Sequence, residues 1–389
     1  MAKRDYEGTH PWISFALELG SAPPRFWMLL GEARSKCDHI KFVPLAEETA
    51  RDLNLVYFAK GVNATTAIEG NSLSEEQVRE RLEGELELPT SKEYLGVEID
   101  NMIAAYNGII KTLMGGGSIP VNIDTLCSLN KQILSGLKVD PHVVPGELRQ
   151  YSVHAGPYVG APWSDIPYLL ERLCKWLETL TPRNEESRIP QAIIKAVTAH
   201  VYLEWIHPFG DGNGRLGRLV EFLILISSGI AVPAAHVLTS HYNDTRTEYY
   251  RQLNEASRNG ELTAFLEYAA QGLVDGLTAA IKRLHAQQEE LMWHALVDEA
   301  LGKRQGVAAS RQRQLAIALG HEGKWTTRPE IRKLSQALEL AYTEHAKMLT
   351  RDLNRLRGLG FIELSRRGAR ARLQLVRGMR PFVVSLGTD

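Results

Sequence analysis

The chain has 389 residues, of which 44% are hydrophobic and 23% charged, and its net charge is −1. This length predicts two or three domains and a core that needs neither disulfides nor structural metals. The balanced charge argues against a uniformly basic or acidic protein, and the three scattered cysteines, Cys37, Cys127 and Cys174, argue against a zinc ribbon or a disulfide framework.

The N-terminal stretch to Trp12 lacks an apolar signal core, and the apolar run 219–226 is broken by Glu221 and too short to span a bilayer. The expected setting is a reducing cytoplasm, with no membrane partner.

Up to about residue 113 the pattern is helical, with Ala46, Ala50, Leu53 and Tyr57 recurring every three or four residues. After the turn Gly70-Asn71-Ser72, Ser74 and Gln77 form a capping box, and Glu75 and Arg79 are an expected i,i+4 pair. A third helix is predicted from about Lys92 to Leu113, ended by Gly115-Gly116-Gly117. Between Pro145 and Pro167, glycines and prolines alternate with short β-favouring pieces, which reads as a loop with a hairpin. Helices are expected at Tyr168–Leu180, Pro190–Ile206 and Arg215–Ser227, and Leu273, Leu277, Ile281 and Leu284 begin a long one.

The last segment differs in charge. From Lys303 to Arg380 there are 18 Lys/Arg and 6 Asp/Glu, roughly +12, which leaves roughly −13 for the rest. Helices are predicted at Arg328–Leu340 and Thr343–Leu356, followed by strands Phe361–Leu364 and Arg372–Val376 around Arg366-Arg367-Gly368. The fold class expected is mainly α, with a short hairpin in the middle and a helix-helix-helix-hairpin module at the end.

The most informative string is His207-Pro208-Phe209-Gly210-Asp211-Gly212-Asn213-Gly214-Arg215-Leu216-Gly217-Arg218. It reads as a glycine-rich turn feeding a helix, whose free N–H groups and dipole form an anion cradle. Arg215 and Arg218 stand three apart at the helix start, Asp211 is a hard oxygen donor suited to Mg2+, and His207 is a base near neutral pH. Together they point to phosphate-ester or nucleotidyl transfer. No Gly-Lys-Ser/Thr follows, so this is not a Walker A loop.

The string matches the Fic-domain signature His-x-Phe-x-(Asp/Glu)-Gly-Asn-Gly-Arg-x-x-Arg without a substitution, and the chain resembles that family from about Pro145-Gly146-Glu147-Leu148-Arg149 to Glu248-Tyr249-Tyr250-x-x-Leu253. The resemblance implies a protein adenylyltransferase that moves AMP from ATP to a Ser, Thr or Tyr hydroxyl of a protein substrate. By that likeness His207 takes the hydroxyl proton and Asp211 holds Mg2+. Gly212, Asn213 and Gly214 cradle phosphates, Arg215 and Arg218 hold the β and γ regions, and Phe209 anchors the core. Thr65-Thr66-Ala67-Ile68-Glu69-Gly70-Asn71 resembles the family's inhibitory motif, so Glu69, with Thr65 in register, is expected to occupy the γ-phosphate position on Arg218. In some relatives the same Glu positions a water that removes AMP.

Tyr249 and Tyr250 match a pair near the adenine, with core aromatics as the plainer alternative. The relatives' adenine-contacting Asn falls nearest Ser257, beyond Asn254. The segment from Tyr151 to Trp163 occupies the place of the target-aligning flap. His154, His200, His236 and His241 are expected to be structural or solvent-exposed, and no His/Cys spacing suggests zinc. The C-terminal pattern resembles a winged helix-turn-helix, presenting Lys347, Arg351 and Arg355 on one helix and Arg366, Arg367, Arg370 and Arg372 on the wing. That face suits either DNA phosphates or protein docking.

The expected division is 1–114, an N-terminal helical region with the inhibitory helix; 115–285, the Fic catalytic domain; 286–305, a connecting helix; and 306–389, the winged module. The resemblance also implies a homodimer, since relatives often form homodimers that tune inhibition, while the oligomeric state stays open. Two further readings stay open: a hydrolase that removes AMP through Glu69, and a nucleotide-sensing DNA-binding regulator.

Overall fold

Helices joined by short capped turns make up most of the computed structural model, which describes residues 4–45, 47–156, 158–302, 306–343 and 346–376. Ala46, counted in the first periodicity, and Lys303 and Arg380, which bound the basic segment, lie outside these residues. Two units are distinguished, Met1–Ile281 and Lys282–Asp389.

The first unit opens with α1 (Tyr6–Thr9), α2 (Pro24–Phe42), α3 (Glu47–Ile68), α4 (Glu75–Glu83), α5 (Glu93–Met114) and α6 (Ile123–Ile133). A hairpin follows, β1 (His154–Ala155) with β2 (Tyr158–Val159), in the register His154↔Val159 and Ala155↔Tyr158. Then come α7 (Ile166–Thr179), α8 (Glu185–Ile206), α9 (Asn213–Ser227), α10 (Val232–Ala235), α11 (Val237–Asp244), α12 (Arg246–Asn259) and α13 (Thr263–Leu301), the last running on into the second unit.

Helices α8 and α9 pack on each other at the centre, and α9 also meets α3, α5 and α6. Both central helices are buried on nearly every side, as all-round apolar sequences require. The Ser74 capping box forms as expected, with Gln77 N donating to Ser74 Oγ at 3.2 Å and Ser74 N to Gln77 Oε1 at 3.0 Å.

Two expectations here need correction. Arg79 pairs with Glu83 rather than Glu75. Helix α8 starts at Glu185, before Pro190, because Asn184 and Ser187 form a second capping box that sets its N-terminus. No described helix is long and apolar enough to cross a membrane.

The second unit contains α14 (Val307–Glu322), α15 (Arg328–Arg332), α16 (Gln336–Thr343), α17 (Ala346–Gly358), and the antiparallel strands β3 (Ile362–Ser365) and β4 (Gly368–Ala371). Its core gathers Trp293, Val297, Leu315, Leu319, Leu353 and Phe361 with their neighbours. The helix expected over Arg328–Leu340 is broken, because the Ser335 hydroxyl accepts from Leu338 N and starts α16. The helix expected over Thr343–Leu356 is α17, with 344–345 outside the described residues.

The second strand also lies earlier than Arg372–Val376. Ser365 pairs with Gly368, so Arg366 and Arg367 alone form the turn, and Leu373–Leu375 is a 3-10 turn. Gly368, at φ +118°, lets Ala369 and Thr326 exchange backbone hydrogen bonds of 2.8 and 2.9 Å.

Candidate active site

Helix α8 ends on His207 in the left-handed region, φ 51° and ψ 62°, one of two described non-glycine residues with positive φ. Such a conformation costs on the order of 1 kcal/mol and is held by its surroundings. Arg149, 4% exposed, provides the hold. Its guanidinium donates to the carbonyls of His207, Tyr151 and Ala161, each at 2.6 Å. Burial lowers the Arg149 pKa to about 10, so the clamp remains charged at neutral pH.

The turn after His207 is closed by Asn213, whose Oδ1 accepts from Phe209 N at 2.9 Å while its Nδ2 donates to Phe209 O at 2.8 Å. Phe209 is buried, as expected of an anchor. Asn130 of α6 donates to Asp211 O at 2.9 Å, and Gly212, at φ +79°, starts α9.

The resulting cleft, about 800 Å³, is lined by this turn, by Glu69 at the end of α3, by the hairpin residues His154–Gly156 and Tyr158, and by one face of α12. Nδ1 of His207 lies 3.3 Å from Glu204 O. A carbonyl only accepts, so Nδ1 carries the proton and Nε2 keeps its lone pair. Burial pulls the His207 pKa below its ordinary value of 6.5, against an upward pull from Glu204. The imidazole is therefore a neutral base at physiological pH.

Arg218, 1% exposed, donates through Nε to Thr65 Oγ1 and through Nη2 to Thr65 O, both at 3.0 Å, and through Nη2 to Glu69 Oε1 at 2.6 Å. Thr65 and Glu69 thus share one guanidinium. Burial would raise the Glu69 pKa, but the charge and hydrogen bond of Arg218, followed by the charge of Arg215, bring it below the ordinary carboxylate value. Gly214 makes the approach feasible, since a Cβ there would collide with Glu69 Oε1. The C-terminal carbonyls of α3 are held as well: Arg246 Nη1 donates to Ala67 O at 3.2 Å and Tyr250 Oη to Ile68 O at 3.4 Å.

Asp211, Gly212, Asn213, Gly214 and Arg218 all line the cleft, and Arg215 does not. Its Nη1 donates to Glu98 Oε1 at 2.6 Å and its Nη2 to Asp211 Oδ1 at 3.2 Å. Tyr249 and Tyr250 both line the cleft; the Tyr250 ring is half-exposed, while Tyr249 is buried and its hydroxyl meets His200 Nε2 at 3.0 Å. Asn254 lines the cleft, while Ser257 is buried and donates to Asn254 O at 2.9 Å, so Asn254 is the one of the two that faces the cleft.

His154 is an exposed residue at the rim, and His200 and His236 are fully buried. Sequence reasoning missed Glu204, Glu98 and Asn130, which lie outside the turn, and gave Arg149 no role. A Glu three residues before His207 was the only local signal for any of them.

Residues 120–225 match the model of the Fic/DOC family. The chain is 31% identical over 241 residues to protein adenylyltransferase fic-1 of Caenorhabditis briggsae, covering 61% of this chain and 43% of that protein. It is 30% identical over 240 residues to the Caenorhabditis elegans protein of that name, with the same coverage. The chain therefore spans less than half the length of these curated relatives. Among solved structures, a Fic family protein from Desulfovibrio desulfuricans shares the fold, with TM-score 0.56, 21% identity, and coverage of 92% of this chain and 98% of that one. Residues 134–508 of Fic-1 from Caenorhabditis elegans align with TM-score 0.53 and 26% identity, over 67% of this chain and 73% of that one.

Proposed function

We propose that the chain, whose residues 120–225 match the Fic/DOC family model, transfers AMP from ATP to a Ser, Thr or Tyr hydroxyl of a target protein, restrained by its own Glu69. The observation that carries this reading is one cleft holding a neutral His207 with a free Nε2 and a buried Arg218 already paired with a carboxylate.

In the reaction, the target hydroxyl attacks the α-phosphorus as Nε2 of His207 takes its proton. The bond from the α-phosphorus to the oxygen bridging to the β-phosphate breaks, and pyrophosphate leaves. The N–H groups at the start of α9, with Asn213 and Gly214, bind the phosphates, and Arg218 binds the γ end once Glu69 withdraws.

The residues present suit Mg2+. Both hydrogen bonds to Asp211, from Gly212 N at 2.5 Å and from Arg215, fall on Oδ1, which leaves Oδ2 for a hard cation. When bound, Mg2+ would neutralise phosphate charge beside Asp211.

Glu69 inhibits by charge competition, since one guanidinium cannot fully serve a carboxylate and a γ-phosphate together. The hairpin β1–β2 at the cleft mouth is the candidate for strand addition to the target segment. A second reading, removal of AMP, is supported by Glu69 facing the cleft with one oxygen not engaged by Arg218.

The proposal extends to a division into 1–114, 115–285, 286–305 and 306–389, the last a winged helix-turn-helix. That last assignment rests on the order α15, α16, α17, β3, β4 and on exposed Lys347, Arg351 and Arg355 on α17. Arg366 and Arg367 are exposed at the turn, while Arg370 and Arg372 are partly neutralised by Glu363. A cytoplasmic setting is supported by three free cysteines. Homodimerisation rests on the resemblance of the His207 string to the Fic signature alone.

The test is adduct mapping by mass spectrometry after incubating Glu69→Gly protein with ATP, Mg2+ and a cell lysate. AMP on protein hydroxyls, absent with His207→Ala, is expected. Unmodified protein under those conditions would overturn the reading.

A further inference from the structure

The second unit holds a polar cluster that the nucleotide site does not use. Glu290 and His294 stand one helical turn apart on α13, and His321 faces them from α14. One ligand atom from each of these three lies within 4.8 Å of the other two, a set found among the described residues only here. His321 Nε2 meets Glu290 Oε1 at 3.0 Å. Nε2 of His294 is buried and has no hydrogen-bond partner. The three border a recess of about 440 Å³ beside Trp293.

Burying an imidazole nitrogen without a partner is unfavourable, and the exposed His321–Glu290 pair does nothing to relieve it. An ion shared by the three groups would. A tetrahedral metal about 2.0–2.1 Å from each nitrogen sets the ligand atoms roughly 3.4 Å apart. His321 and Glu290 are exposed, so small rotations about a fixed His294 close the set. Two imidazoles and one carboxylate favour a borderline divalent ion over Mg2+ or Ca2+, which prefer oxygen.

We propose that Glu290, His294 and His321 bind one divalent transition-metal ion of the zinc class, with water completing its shell, and that this ion clips α14 to α13 within the second unit. Sequence spacing hid the site, because His321 follows His294 by a whole helix and the chain has no paired cysteines.

The experiment is calorimetric titration of the full chain with Zn2+, in excess Mg2+ so that Asp211 does not compete. One equivalent is expected to bind, and His321→Ala to weaken it by roughly 100-fold or more, since even outer-shell changes cost about 10- to 100-fold. His321 is exposed, so its truncation is expected to leave the metal-free melting temperature unchanged while abolishing the Zn2+-induced rise. Co2+ is expected to give visible d–d absorption with no thiolate charge-transfer band, lost in His294→Ala. No binding at micromolar Zn2+, full affinity in His321→Ala, or a thiolate band would each overturn the proposal.

Discussion

Replacing Glu69 by Gly removes the carboxylate that Arg218 Nη2 contacts at 2.6 Å, and leaves a 1%-exposed guanidinium still hydrogen-bonded to Thr65. Two effects follow with opposite readouts. Breaking a buried pair costs about 3–5 kcal/mol. The lower end applies here, because Thr65 keeps two hydrogen bonds and the Glu69 side chain is 33% exposed. The melting temperature of the nucleotide-free variant should therefore fall.

The freed charge-assisted hydrogen bond, worth about 1.5–3 kcal/mol, becomes available to the γ-phosphate. At about 1.4 kcal/mol per factor of ten, AMP transfer should rise by about 10- to 100-fold, and ATP should restore much of the lost thermal stability. Glu69→Gln keeps a hydrogen-bond acceptor without the charge and should fall between wild type and Glu69→Gly. The assay is label transfer from α-labelled ATP, with thermal shift in parallel. Equal transfer by wild type and Glu69→Gly, with ATP stabilising both alike, would refute the competition argument.

His207→Ala should reduce transfer by about 10²- to 10⁴-fold. In Glu69→Gly protein with His207 in place, the lowered His207 pKa should keep the rate level as pH falls through 6.5 in a pH–rate profile. His236 is fully buried with a pKa pushed down to about 3, so below pH 6.5 the unfolded chain takes up a proton that the folded chain refuses. Stability is lost on acidification, by about 1.4 kcal/mol between roughly pH 7.5 and 5.5, and denaturant melts of His236→Leu should lack that component. Arg246→Ala removes a cation from the end of α3, worth about 0.3–1 kcal/mol, and should raise basal transfer by about 2- to 5-fold. If α17 lies on DNA, replacing Lys347, Arg351 and Arg355 together by Ala should flatten the log–log salt slope of duplex retention by about 3.

The turn at His207 was legible because each residue in it is locally constrained: Gly212 by its positive φ, Asn213 by closing the loop on Phe209, Phe209 by burial. The Ser74 capping box was readable for the same reason. What escaped were partners brought in from far along the chain. Arg149 grips carbonyls up to 58 residues away, and Glu98 holds Arg215 from 117 residues away. The broken helix at Ser335 and the early β4 depend on a hydroxyl cap and on Thr326 pairing with Ala369, and neither leaves an apolar period. Asn254 and Ser257 sit three apart on α12, and helix phase against the cleft decides which of them faces it.

The most direct measurement is paired incubation of Glu69→Gly protein with ATP labelled at either the α or the γ phosphate. α label on protein hydroxyls is expected, with no γ label, and neither label on the Glu69→Gly, His207→Ala double variant. Covalent γ label, or α label that persists without His207, would contradict AMP transfer through His207.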